Sequence, residues 1–220
     1  MILKNNNMLT STSEIDGLYI IHPKTVTDER GTVRELFRFS AYSDILSSTT
    51  WSQINLTQTK KGAVRGLHAE SMSKLVTVAK GSGFGVYVDI RNDSTSFGKI
   101  VTVDLYPGVQ VFVPNGVCNG FQALENNTEY LYFFDSEWIP GMSGQALSPL
   151  ASDLKIDWPI PINPNNLEQI SEKDFIFKYG QYLEYSFKNP HFYNIPFDSG
   201  FYSIYFKDGV LYSIEINYYC

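Results

Sequence analysis

Phe84-Gly85-Val86-Tyr87-Val88-Asp89-Ile90 places apolar Phe84, Val86, Val88 and Ile90 on one face and Gly85, Tyr87 and Asp89 on the other. A period of two belongs to a β-strand packed on one side, and it cannot lay down the stripe of an amphipathic helix. The pattern repeats outward from this stretch. Val101, Val103 and Leu105 alternate with Thr102 and Asp104, and Val109, Val111 and Val113 alternate with Gln110 and Phe112. Tyr130, Tyr132 and Phe134 share one face of 129–134, with Leu131 and Phe133 on the other. Turn chemistry separates these runs: Lys80-Gly81-Ser82-Gly83, Tyr106-Pro107-Gly108 and Pro114-Asn115-Gly116. Short strands at this spacing predict an all-β antiparallel sandwich or barrel. Helical pattern is scarce, and the best candidate is 40–47 with Ser40 as N-cap.

The 220 residues suit one domain of ordinary size with an extension, and 43% hydrophobic against 18% charged residues is a composition that packs a core. A net charge of -6 argues against nucleic acid as a partner. No apolar run approaches the roughly 20 residues of a bilayer crossing, and no Lys/Arg run marks a membrane surface. Met1-Ile2-Leu3-Lys4-Asn5-Asn6-Asn7 has no apolar core and no small-residue cleavage site, so no signal peptide is expected. Two cysteines, Cys118 and Cys220, make no disulfide framework, and the expected compartment is the cytoplasm. Cys118 reads as a small buried hydrophobe rather than a nucleophile. From Phe175 the chain is crowded with Tyr and Phe. It ends in a predicted hairpin, Phe201–Phe206 and Val210–Ile216 about Lys207-Asp208-Gly209, preceded by an irregular link at Asn189-Pro190 and Ile195-Pro196.

Arg65-Gly66-Leu67-His68 and Lys74-Leu75-Val76 carry the candidate chemistry. His68 is one of three histidines, and a base that works beside a bound anion needs cations such as Arg65 and Lys74 close by. Asp174, in Ser171-Glu172-Lys173-Asp174, follows an extended Trp158-Pro159-Ile160-Pro161 segment that should run along the domain surface. Tyr132 sits in mid-strand. Each of these residues also has a structural reading. His68 fits a satisfied core position and Tyr132 a core-facing phenol, while Arg30 and Glu35 fit a surface ion pair of little worth.

Taken in order, several motifs resemble those of the dTDP-4-dehydrorhamnose 3,5-epimerase family of metal-free cupins. They are Asp28-Glu29-Arg30-Gly31 with Glu35, Gln53-Ile54-Asn55, Arg65-Gly66-Leu67-His68, Lys74-Leu75-Val76, Val88-Asp89-Ile90-Arg91, Phe97-Gly98, Val113-Pro114-Asn115-Gly116, Tyr132, Ile156-Asp157-Trp158-Pro159 and Ser171-Glu172-Lys173-Asp174. The resemblance runs from about Gly17 to Asp174. It implies a jelly-roll (cupin) β-sandwich over 1–174, with 175–220 as an extension that is not an independent domain. It also implies a nucleotide-diphosphate sugar as substrate, no metal and no cofactor. Epimerisation at carbon 3, carbon 5 or both of a 4-keto-6-deoxyhexose, in rhamnose-type deoxysugar biosynthesis, is the implied reaction. By resemblance His68 is the base and Asp174 its partner, Lys74 meets the enolate and Tyr132 is the acid. Arg65 and Arg30 match positions that hold the diphosphate, and Glu35, Gln53 and Asn55 match positions near nucleotide and sugar. Members of the family are dimers that exchange N-terminal strands, so a homodimer is expected.

The chain departs from the family pattern at the pocket. Asn119 stands where a pocket histidine is usual, Trp138 replaces a tyrosine, Thr32-Val33 replaces Phe-Phe, and Glu70 replaces a common glutamine. Asn119 hydrogen-bonds but carries no proton. A carboxylate near a diphosphate is unfavourable, so Glu70 is expected to point away or to meet Arg65. Two readings stay open: an epimerase with altered substrate or regiochemistry, and a sugar-nucleotide-binding cupin with altered or lost activity. A metal cupin wants a His-x-His-plus-Glu cluster and a later His, which His68, Glu70 and Asn119 do not supply.

Overall fold

A computed structural model describes residues 2–5, 8–46, 50–139, 142, 144–171, 174, 183–184, 192–197, 200–207 and 210–218. The described strands, in chain order, are β1 (Ile2–Asn5), β2 (Met8–Thr12), β3 (Tyr19–Pro23), β4 (Thr25–Asp28), β5 (Gly31–Arg34), β6 (Gln53–Thr59), β7 (Val64–Glu70), β8 (Lys74–Lys80), β9 (Gly83–Asp89), β10 (Ile100–Leu105), β11 (Gln110–Val113), β12 (Val117–Ala123), β13 (Thr128–Phe134), β14 (Gly144–Ala146), β15 (Leu183–Glu184), β16 (Phe192–Phe197), β17 (Gly200–Lys207) and β18 (Val210–Tyr218). One sheet runs β1-β2-β3-β11-β8-β13-β6 and the other β10-β9-β12-β7-β14-β15. Every described pairing within them is antiparallel. From β7 onward the chain keeps crossing between the two sheets, the winding of a jelly roll.

The alternation that predicted strands also decides which side chains meet. Val76, Val78, Val103, Leu105, Val109, Val111, Val113, Phe121 and Tyr130 pack between the sheets. Leu75, Phe112 and Phe133, on the other face of the seven-stranded sheet, lie under Phe37, Tyr42, Ile45 and Trp51. Leu67, Ala69, Val86, Val88 and Cys118, on the outer face of the six-stranded sheet, lie under Leu147, Leu154, Ile156 and Trp158. Both sheets are therefore covered outside as well as inside, which explains why β12 is buried along its whole length. Cys118 is a free, buried thiol whose ionisation burial opposes, in keeping with a packing role.

The helix is shorter than its sequence pattern. It spans Phe39–Tyr42 with Arg38 as N-cap, so Ser40 lies inside it rather than capping it, and 47–49 fall outside the described residues. What fixes this segment is side-chain bonding to the sheet. Tyr42 Oη donates to Gln110 Oε1 at 2.6 Å, and Gln110 Nε2 donates to the Leu36 carbonyl at 2.8 Å. In the tail β17 pairs β18 as the predicted hairpin. Ile195-Pro196, expected to be an irregular link, lies in β16, which pairs β17 along its length. The turn residues Asp208 and Gly209, together with Asn189-Pro190, lie outside the described residues.

Candidate active site

Cross-strand register builds the walls of one cavity. Across the seven-stranded sheet, Asn55, Tyr132, Val76 and Val111 stand in one row and Gln53, Phe134, Lys74 and Val113 in the next. Across the six-stranded sheet, His68, Asn119 and Tyr87 form a row. Residues two apart on a strand share a face, so these rows aim into the sandwich. Between them opens a cavity of about 730 Å³, lined by His68, Asp174, Tyr132, Lys74, Arg65, Asn119, Asn55, Trp138 and Glu70, among others. That is room for a ligand larger than a monosaccharide.

Close backbone approach places His68. Gly66 has φ +118°, and a Cβ there would lie 2.5 Å from Gly120 Cα and 2.7 Å from the Asn119 carbonyl. Only glycine fits, and the two glycines let β7 and β12 meet where their register shifts.

Asp174 arrives from a distant part of the chain. The Gln122 side chain accepts from the Ile160 N–H at 2.9 Å and donates to its carbonyl at 2.7 Å, pinning the Trp158–Pro161 segment to β12. Val64 N–H donates to the Gln169 carbonyl, and buried Ile170 follows. The chain then delivers Ser171 and Asp174 to the cavity. His68 Nε2 and Asp174 Oδ1 are 2.8 Å apart. Ser171 Oγ donates to Asp174 Oδ2 at 2.7 Å, so both carboxylate oxygens are engaged. With Asp174 as acceptor, Nε2 carries the proton and Nδ1 keeps the free lone pair. Asp174 is 5% exposed, whereas the His68 side chain is 31% exposed toward the opening.

Tyr132 stands on the opposite sheet. Burial pushes its phenol up to about 12, against the pull of Arg65 and the Thr57 hydroxyl, so it holds its proton through neutral pH. It packs edge-on against Tyr130 and stacks on Phe134. Lys74 is buried, and its Nζ donates to Asn119 Oδ1 at 2.6 Å and to Glu70 Oε2. Contrary to the expectation from sequence, Glu70 neither points away nor meets Arg65. The short connection between β7 and β8 brings it onto Lys74. Burial alone would push the Glu70 carboxyl up, but the Lys74 ammonium and its hydrogen bond outweigh that and hold it below the ordinary glutamate value. Arg65 is held by Nε donation to Thr59 Oγ1 at 3.0 Å and reaches the cavity edge.

Three other expected residues are placed differently. Gln53 supports the rim, donating to Asn55 Oδ1 and accepting from the Trp138 N–H at 2.7 Å. Arg30 and Glu35 are not among the lining residues and are not paired with each other: Arg30 binds Asp28 in the β4–β5 hairpin, and Glu35 binds Arg38. Thr32-Val33 lies on that same exposed hairpin. Thr57, Thr59, Lys60 and the 167–170 segment line the cavity without having stood out in the sequence. Among the described residues no group of three His, Cys, Asp or Glu side chains is placed to hold a metal, and His191 lies outside them.

The model of the dTDP-4-dehydrorhamnose 3,5-epimerase family matches residues 12–179. The Salmonella typhimurium dTDP-4-dehydrorhamnose 3,5-epimerase is 32% identical over 174 residues, 76% of this chain and 92% of that protein. The Streptomyces bikiniensis dTDP-4-dehydro-6-deoxyglucose 3-epimerase is 29% identical over 68% of this chain and 80% of its own length. Among solved structures, the dTDP-6-deoxy-D-glucose-3,5-epimerase of Legionella pneumophila, in complex with dTDP-4-keto-L-rhamnose, superposes with a TM-score of 0.69. It is 35% identical, and the match covers 76% of this chain and 89% of that one. A cavity within the sandwich, a His–Asp pair at its wall and a family match across three quarters of the length converge: the chain belongs to the dTDP-4-dehydrorhamnose 3,5-epimerase family.

Proposed function

We propose that this protein epimerises carbon 3, carbon 5 or both of a nucleotide-linked 4-keto-6-deoxyhexose by removing and returning a proton through an enolate. His68 Nδ1 takes the proton from the carbon next to the ketone. Asp174, oriented by Ser171, fixes the tautomer and stabilises the imidazolium that forms. A base held this way contributes about 10²–10⁴-fold. Lys74 meets the charge that develops on the carbon-4 oxygen. Tyr132, across the cavity on the other sheet, supplies a proton from the face opposite His68, which is what inversion requires. Arg65 suits one phosphate of the diphosphate. Trp138, half exposed at the rim, offers an aromatic face to the sugar nucleotide.

The 2.8 Å His68–Asp174 contact carries this reading, because a carboxylate-backed imidazole at a cavity wall is the arrangement that carbon-acid chemistry needs. The working form is a homodimer. Arg30 and Glu35 reach substrate only if the exposed β4–β5 hairpin extends into the cavity of a second copy. Residues 1–174 form the epimerase unit, 175–220 are an appended extension, and the protein acts in the cytoplasm. Incubation in deuterium oxide with the thymidine- and the uridine-diphosphate forms of 4-keto-6-deoxyglucose, followed by NMR, tests the reaction. Wash-in at carbon 3 or carbon 5 is expected with one of the two. Binding without wash-in from either would instead favour a sugar-nucleotide-binding protein.

A further inference from the structure

The Lys74 ammonium has three N–H donors, and the protein engages all of them: Glu70 Oε2, Asn119 Oδ1 at 2.6 Å and the His68 carbonyl at 3.5 Å. Lys74 is 3% exposed, and the Glu70 side chain is 25% exposed. The cation that should meet an enolate is therefore half of a partly buried ion pair with no net charge. The weak third bond to the His68 carbonyl is the one that can turn to substrate.

We infer that Glu70 is a positioning residue that acts through Lys74: it clamps the ammonium against Asn119 and damps its charge, so that enolate formation runs slower than an unpaired Lys74 would allow. The inference rests on the epimerase reading. At an effective dielectric suited to a partly buried site, tying up the ammonium charge in this ion pair costs about tenfold in rate. The Glu70 carboxylate adds to burial in holding the Tyr132 phenol protonated, so its influence reaches the acid on the opposite sheet. Cys118 on β12 also feels it.

The test is deuterium wash-in at saturating substrate for Glu70→Gln and Glu70→Ser, each also made with Lys74→Gln. Both neutral variants should raise kcat for wash-in about tenfold with KM nearly unchanged, and the gain should vanish when Lys74 is absent. A rate at or below wild type in the neutral variants overturns the inference and leaves the epimerase reading intact. So does a gain that survives Lys74→Gln, because Glu70 would then act on substrate directly. No wash-in from wild type and variants alike overturns the epimerase reading and this inference with it. Should Glu70→Gln fail to fold, Glu70→Ser decides.

Discussion

His68 and Asp174 lie 106 positions apart and share a single hydrogen bond, while Tyr132 faces them from the other sheet. In the proposed reaction, two groups on opposite walls have separable tasks, one to remove a proton and one to return it. Tyr132→Phe keeps the ring stack with Phe134 and deletes only the acid, so inversion should fall by at least about tenfold while wash-in persists. Comparing product stereochemistry with deuterium content checks this. At this scale the Arg65–His68 motif and Asp174 were legible, because short motifs preserve chemistry. The partner of Glu70 was not. A strand pattern says which face a side chain takes but not what a crossing between sheets brings together. The signal was nonetheless present: Glu70 and Lys74 flank only Ser71-Met72-Ser73. Ser171 belongs to a motif legible in the sequence, but its bond to Asp174 Oδ2 is visible only in the structure.

Elements follow from alternation wherever one face is buried. The runs at 84–90, 100–105, 109–113 and 129–134 match β9, β10, β11 and β13 to within a residue or two at each end. The helix pattern at 40–47 overran because Tyr42 and Gln110 bond the segment to the sheet after a single turn. Asp89 closes the loop after β9. Burial would push its carboxyl up, but Arg91, Ser94 and Ser96 outweigh this and hold it well below the usual carboxylate range. A depressed folded value means that the stabilisation is fully present above the unfolded value of 3.8 and is lost as pH falls through the folded one. Asp89→Asn should therefore cost about 3 kcal/mol at pH 7 and flatten the acid limb of the stability profile. Urea denaturation at pH 7 and between pH 4 and about 2 reads both effects.

For the whole molecule, the chain beyond the sandwich matters most. The β4–β5 hairpin is exposed at every position, with Val26 54% and Val33 74% exposed, and its Arg30 is outside the cavity of its own chain. A homodimer in which this hairpin serves the partner's site accounts for both facts. Sedimentation should give twice the monomer mass of 25.0 kDa. Arg30→Ala should raise KM about tenfold with little change in unfolding midpoint, because among the described residues its partner is Asp28 on the surface. A monomer with full activity would refute the arrangement. The sandwich was legible from period and turns, whereas Arg30 and Glu35, expected at the substrate by resemblance, lie outside the cavity of their own chain. The tail hairpin was legible too, whereas β16 was hidden by Pro196, which sits in an edge strand where its missing N–H is tolerated.

The most direct measurement is deuterium wash-in by His68→Asn beside its binding of the same sugar nucleotide by calorimetry. Asparagine keeps hydrogen bonding to Asp174 and removes the proton acceptor. Wash-in should fall by about 10²-fold or more while affinity stays within a few-fold of wild type. Wild-type wash-in from the variant would show that another group removes the proton.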